Sequence, residues 1–173
     1  DYFQQNGIPL TNNSDENNFA RIKKIVKQYS PEKLIILGDL FHSKYSIGKT
    51  LQKKVEDLPG LLKTNVELVL GNHDVGCDIK NLKIFDIKKT KNITYSHESV
   101  NLSDKETLNI CGHYHPKLYL KNNGDKLSLR CFAMDTNKNI LYLPAFGDLT
   151  GGYPCKQSFK KWAIVSEEKI IEI

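Results

Sequence analysis

The sequence lacks paired cysteines, long apolar runs and signal-peptide features. The four cysteines are Cys77, Cys111, Cys131 and Cys155. They form neither a C-x-x-C pair nor a zinc-finger spacing, which argues against a disulfide framework and against a zinc finger. We therefore expect reduced thiols and a cytoplasmic location. No apolar run approaches the roughly 20 residues that a membrane-spanning helix needs, so no membrane association is expected.

Arginine is also scarce, because Arg21 and Arg130 are the only two among 25 basic residues. The formal net charge of +5 suits a polyanionic partner, although scattered lysines are more commonly plain solvated surface. Lysine binds phosphate as a point charge and lacks the bidentate fork with which arginine distinguishes bases. Any contact with nucleic acid is therefore expected to be mostly to the backbone.

The chain is long enough for one domain with a real core, and we expect a single domain over residues 1–173. A helical stripe, an apolar strand, a second helix ended by Pro59-Gly60 and a strand to Leu70 predict a parallel β-α-β unit. Residues 77–91 are expected to be irregular or a short helix, whereas only strand signals follow Leu108. Helices early and strands late predict an α/β fold of two sheets flanked by helices.

Three apolar strands end in glycine followed by polar side chains. They continue as Gly38-Asp39, as Gly71-Asn72-His73-Asp74 and as Gly112-His113-Tyr114-His115. One such end could be a capped turn, but three are hard to explain by packing, and open α/β sheets bind ligands at this edge. In an extended segment His113 and His115 would point to the same side. Carboxylate, amide and imidazole ligands suit Mn, Fe, Zn or Mg rather than a thiolate site.

The order GD-x-x-H, GNHD, GH-x-H resembles the calcineurin-like metallophosphoesterase superfamily. This resemblance implies a layered α/β/β/α sandwich of two mixed sheets and a two-metal phosphoesterase with a metal-activated hydroxide. Residues 2–9, Arg130-Cys131-Phe132 and residues 143–152 extend the likeness to the DNA-ligase-associated metallophosphoesterases. That family implies manganese as the metal (with Fe, Zn or Mg as alternatives), an endonuclease of DNA repair, DNA as substrate, and a DNA ligase and helicase as partners.

The resemblance also implies roles for single residues. The expected metal ligands are Asp39 as the bridging carboxylate, Asn72, His97 and His113 at one ion, and His115 at the other. His73 is expected to act on the phosphate, with Asp74 orienting its ring, and His42 to position the phosphate. His42 could equally be a turn residue that bonds backbone. Arg130 and Thr150 are the remaining substrate-binding candidates, and Phe41 and Tyr114 could stack a base or belong to the core.

One motif of the superfamily is not in the sequence. A first strand ending in D-x-H would supply two ligands to the ion that His115 helps to hold, and no such motif precedes Gly7-Ile8-Pro9. We expect that the sequence begins just downstream of it.

Two other functions remain open at this point. The first is a phosphoesterase for a small nucleotide or a lipid-sugar diphosphate, which would need a closed pocket rather than an open cleft. The second is a catalytically silent scaffold of the same fold.

Overall fold

The structure is a computed structural model that describes residues 14–41, 49–77, 79–104, 106–122, 125–166 and 168–173. The chain divides into two compact units, Asp1–Asp86 and Ile87–Ile173, and each is described by itself. The single domain expected over residues 1–173 stays a prediction.

In its described residues the first unit contains three helices and a three-stranded sheet. In chain order these are α1 (Ser14–Tyr29), β1 (Lys33–Leu37), α2 (Lys49–Glu56), α3 (Leu58–Leu62), β2 (Asn65–Val69) and β3 (Lys83–Phe85). Asp15 and Glu16 lie in the first turn of α1 and Lys27 in its last, where each charge is favourable to the helix dipole. The N-cap predicted at Asn13 lies outside the described residues.

The sheet of the first unit is parallel throughout its described strands. Strand β1 pairs with β2 from Lys33↔Asn65 to Leu37↔Val69, and β2 pairs with β3, so the predicted β-α-β unit is confirmed. Leu68 at the centre of β2 is fully buried and packs with Phe41, Val55 and Ile79. Burial of a leucine of this kind contributes about 1.5–3 kcal/mol. The polar motifs therefore follow strands that are held in place by a buried apolar core.

Two sequence-based boundaries in this region were wrong. Pro59-Gly60 does not stop the second helix but lies inside α3, because proline at the first helical turn lacks only an N–H that has no helical partner there. The strands at Lys83–Phe85 and Ile87–Lys89 fall where we expected no strand. Segments of three residues are too short to display a periodicity.

The second unit is built from strands alone in its described residues. These are β4 (Ile87–Lys89), β5 (Ile93–Ser96), β6 (Leu108–Cys111), β7 (Pro116–Asn122), β8 (Asp125–Asp135), β9 (Ile140–Tyr142), β10 (Tyr153–Pro154), β11 (Lys160–Ser166) and β12 (Lys169–Glu172). They form a mixed sheet in the order β10-β7-β8-β9-β6-β5-β4, with β11 pairing to both β8 and β12. The predicted α/β class with two sheets is thus confirmed.

Within this sheet β5, β6 and β9 are parallel neighbours, whereas β7 and β8 form an antiparallel hairpin. The core of the unit includes Cys111, Cys131, Ala133 and Ile140. None of the four cysteines, all of them in the described part of the chain, forms a disulfide bond. No helix in the described part of the chain is long and apolar enough to cross a membrane.

Candidate active site

In the first unit the candidate residues lie at the carboxyl ends of two paired parallel strands. After β1 the backbone turns through left-handed conformations, with φ of +76° at Gly38 and +50° at Asp39. The Oδ1 atom of Asp39 accepts the backbone N–H of His73 at 3.0 Å. One hydrogen bond therefore joins the loop that follows β1 to the Gly71-Asn72-His73-Asp74 loop that follows β2.

Gly71 is required where these two loops touch. A Cβ atom at this position would overlap the backbone nitrogen and Oδ1 of Asp39, and would lie 2.9 Å from the carbonyl carbon of Gly38. Contacts this close do not occur for real Cβ atoms, so only a residue without a side chain fits. The glycine before Asn72 thus permits the close approach of Asp39 to the second loop.

Asp74 connects the same two loops through its buried carboxylate. Its side chain is fully buried, and its oxygens accept the backbone N–H groups of Phe41 at 3.1 Å and of Gly71 at 3.0 Å. Burial raises the pKa of this carboxyl above its usual range, and the charge of Asp39 adds to the rise, while these backbone hydrogen bonds oppose it. These contacts make Asp74 a positioning residue, and its predicted bond to the ring of His73 stays a prediction.

The side chains of Asn72 and His73 are exposed, although the His73 backbone is held by Asp39. A fixed backbone with an open side chain is the arrangement expected of groups that act on a ligand. Phe41, by contrast, is 2% exposed and belongs to the core cluster, so its alternative as a base-stacking residue is not supported.

In the second unit two histidines lie at the ends of neighbouring parallel strands. His97 follows β5 and His113 follows β6, and the last residues of these strands, Ser96 and Cys111, are paired in register. The Nε2 atom of His97 lies 2.9 Å from Nδ1 of His113, and the rings meet edge to face at 4.8 Å between centroids. The backbone N–H of Gly112 also donates to the His97 carbonyl at 3.0 Å. The sheet therefore brings two imidazoles together that are sixteen residues apart.

Asn109 supports this pair and was missed by the sequence reasoning. It is fully buried in β6, and its amide group donates to the Thr94 carbonyl at 3.0 Å and to Ser96 Oγ at 2.8 Å. Its Oδ1 accepts the backbone N–H of Val100 at 3.0 Å. Asn109 thus ties the residues before and after His97 to one strand. An asparagine inside an apolar strand is the only sequence signal that could have drawn attention to it.

The backbone of His115 contacts residues 152–153 of the second unit. Strand β6 ends at Cys111, and φ is +52° at His113 and +46° at His115, so the extended alternation expected for this segment was wrong. The carbonyl of His115 accepts the backbone N–H of Tyr153 at 3.1 Å, and a Cβ at Gly152 would overlap that carbonyl. The segment is therefore held by Tyr153 of β10 and by the close approach of Gly152, the last residue of the glycine-rich loop 143–152, and not by a continuation of β6.

The candidates for substrate binding differ in what they contact. Arg130 donates from its guanidinium to the carbonyl of Gly147 at 2.9 Å, and lies 3.7 Å from Asp148, so it braces the glycine-rich loop that contains Thr150. Tyr114 stacks on Tyr153 and meets Tyr142 edge to face, which supports the structural alternative for it. His42 lies outside the described residues, and its role stays a prediction.

The donors present fit a divalent metal ion. Two nitrogens bound at ~2.1 Å to one ion and at right angles to each other are about 3.0 Å apart, close to the 2.9 Å between His97 and His113. The carboxylate of Asp39 and the amide of Asn72 supply oxygen donors of the kind that Mn, Mg and Zn accept. The oxygen donors of the first unit and the nitrogen donors of the second are therefore each suited to such an ion.

Comparisons with known proteins cover most of the chain. The family model described as calcineurin-like phosphoesterase matches residues 12–165. The chain is similar to the solved structure of the nuclease MPE from Pseudomonas putida, with 28% sequence identity and a TM-score of 0.75. That match covers 86% of this chain and 74% of the nuclease chain. No curated protein matches the sequence.

Proposed function

Because the chain belongs to the calcineurin-like phosphoesterase family, and is therefore a metal-dependent phosphoesterase, we propose that it is an endonuclease that hydrolyses phosphodiester bonds of DNA. The predicted calcineurin-like metallophosphoesterase superfamily and its sandwich fold are confirmed. The observation that carries the nuclease assignment is the similarity over 86% of the chain to a protein described as a nuclease. The net charge of +5 supports a polyanionic substrate.

The metal ligands in this proposal are Asp39, Asn72, His97 and His113 at one ion, with Asp39 also serving a second ion to which His115 contributes. The 2.9 Å nitrogen pair and the fixed carboxylate loop support it. Bound divalent ions supply positive charge at the phosphoryl group and lower the pKa of water. Manganese is the proposed metal, on the family resemblance.

His73 is the proposed catalytic residue among the other side chains. Its exposed imidazole can hold a proton or positive charge beside the phosphate, while the Asp39 hydrogen bond to its backbone N–H fixes where the side chain begins. Asp74 holds the loop on which His73 lies. The hydrogen bonds that position His73 and Asp74 lie within the first unit.

The experiment uses three substrates and the full chain supplied with manganese. Bis-p-nitrophenyl phosphate tests for phosphodiester hydrolysis, p-nitrophenyl phosphate for monoesterase activity, and covalently closed circular DNA for cutting without a free end. We expect hydrolysis of the diester and nicking of the circle, both abolished by chelation and restored by manganese. Hydrolysis of either p-nitrophenyl ester with intact circular DNA would favour the small-substrate alternative instead. No hydrolysis of any substrate by the metal-loaded protein would favour the silent scaffold.

The ligand set has its own test. Asp39→Asn and His97→Ala are each expected to lower the bound-metal stoichiometry, measured by elemental analysis after gel filtration. The exposed Asn101→Ala variant serves as the control and should retain its metal. Unchanged metal content in both site variants would refute the assignment.

A role in cytoplasmic DNA repair beside a DNA ligase and a helicase completes the proposal. The family resemblance supports it, and four cysteines without a disulfide bond suit a reducing compartment. A strain without this protein should show increased sensitivity to DNA damage, restored by the wild-type chain and not by the His73→Ala variant.

A further inference from the structure

The hairpin formed by β7 and β8 has two chemically different faces. Residues opposite each other in an antiparallel pair share a face, and successive residues alternate between faces. The pairs Lys117↔Arg130, Tyr119↔Ser128 and Lys121↔Lys126 lie on one face. The pairs Leu118↔Leu129 and Leu120↔Leu127 lie on the other. We call the first of these the cationic face.

Folding alone does not account for the cationic face. Like charges directly opposite each other on neighbouring strands destabilise the pairing, and this face contains two such pairs. Arg130 is partly compensated by Asp148 at 3.7 Å. Lys121 and Lys126 at the far end are both exposed, and Asp125, the acidic residue in the part of β8 that pairs with β7, falls on the other face by alternation.

The glycine-rich loop shows where this face begins. A Cβ at Gly152 would meet Cγ of Lys117 at 3.0 Å, and Arg130 donates to the carbonyl of Gly147, so the loop lies against the base of the cationic face. Strand β7 starts directly after His115. At about 3.3 Å per residue, the face extends up to roughly 20 Å from this candidate ligand to Lys121.

An aromatic ring lies between the two cation pairs. Tyr119 is 47% exposed and shares the face with the lysines on either side of it. Cations that follow a phosphate backbone, interleaved with an aromatic ring on which a base can stack, are the two components of single-strand binding surfaces. Stacking requires an unpaired base, which favours a single strand over a duplex.

We propose that the cationic face of the β7–β8 hairpin binds a single-stranded stretch of the nucleic acid beside the cleaved bond. The lysines contact phosphates and Tyr119 stacks on a base. This proposal rests on the proposed function, since it assigns the surface that holds the substrate of the same site. Lysine binds phosphate as a point charge, so these lysine contacts are independent of base sequence.

The test measures binding of a fluorescent phosphorothioate oligonucleotide, which is cleaved slowly, as a function of salt concentration. Lys121→Gln with Lys126→Gln removes the exposed pair, and Lys23→Gln with Lys27→Gln on helix α1 is the control, matched in charge change and exposure. Loss of two phosphate contacts should lower the slope of log affinity against log salt by about 1.4, and the control should leave it unchanged. Tyr119→Leu should weaken binding about 5- to 150-fold without changing the slope.

Hydrolysis of bis-p-nitrophenyl phosphate separates this proposal from the proposed function, because that small diester does not reach the hairpin. All three variants should hydrolyse it at the wild-type rate. If the wild type nicks circular DNA but the hairpin variants bind with its affinity and slope, the hairpin proposal alone is overturned. If the wild type binds the oligonucleotide through the hairpin yet cuts no DNA, the hairpin proposal stands and the nuclease assignment fails. A wild type that binds no oligonucleotide overturns the hairpin proposal.

Discussion

Gly71→Ala is the sharpest test of how the first unit holds Asp39. The added methyl group would overlap the Asp39 backbone nitrogen and Oδ1, and would come within 2.9 Å of the Gly38 carbonyl carbon. Two of these three atoms belong to the main chain, so the clash cannot be relieved by a side-chain rotation. One of the two loops must move, which also lengthens the hydrogen bond from His73 to Asp39.

The magnitude follows from the cost of overpacking. Forcing a methyl group into a filled site costs about 1–3 kcal/mol, which for a chain of this size lowers Tm by roughly 2–12 °C. Since Asp39 is displaced, the affinity for manganese should fall as well. Thermal unfolding by circular dichroism measures the first effect, and titration with manganese measures the second.

Gly60→Ala supplies the matched control. No atom lies within 4 Å of a Cβ there, and Gly60 lies inside helix α3, where alanine is favoured by about 0.5–1 kcal/mol. We expect this variant to melt at or above the wild-type Tm with its manganese affinity intact. A Gly71→Ala protein that behaves as Gly60→Ala does would refute the close contact between the two loops.

Three other variants and reactions test the remaining parts of the site. His73→Ala should keep its metal while diester turnover falls by ~10²–10⁴-fold, and a normal rate or lost metal would contradict its assigned role. Asn109→Ala removes three buried hydrogen bonds and should lower the free energy of unfolding by about 2–4 kcal/mol, measured in urea, whereas the exposed Asn101→Ala stays within ~0.5 kcal/mol. Burial raises the pKa of Cys111 and of Cys131 to about 12, so at pH 8 both are neutral thiols. A disulfide reagent should therefore modify the partly exposed Cys77 and Cys155 first, and Cys111 and Cys131 only on unfolding. Four thiols that react at the same fast rate would show that Cys111 and Cys131 are not buried.

The strand ends were the most predictable part of this molecule. An apolar run followed by glycine and polar residues marks both a buried strand and the edge where ligands bind, so Asp39, Asn72 and His113 could be singled out from the sequence. The pairing of β1 with β2 followed from the helices between them. Long periodic segments and the handedness of crossovers constrain such pairings strongly.

Other features depend on contacts that no local pattern records. The strands β3 and β4 have three residues each, and neighbouring strands rather than periodicity make them extended. The left-handed backbone at His113 and His115 defeats an argument from alternation. Asn109 is an ordinary polar residue in the sequence and becomes a structural one only when β5 lies beside it.

The left-handed residues have a consequence for anyone who selects variants of this chain. Asp39, His113 and His115 each adopt a conformation in which a side chain costs about 1–2 kcal/mol relative to glycine. Together these are a sizeable part of the roughly 5–15 kcal/mol by which a domain is normally stable. A screen for heat resistance alone would therefore favour glycine at these three positions and discard three proposed metal ligands. Directed evolution of a hardier protein from this sequence needs a selection on hydrolysis in every round.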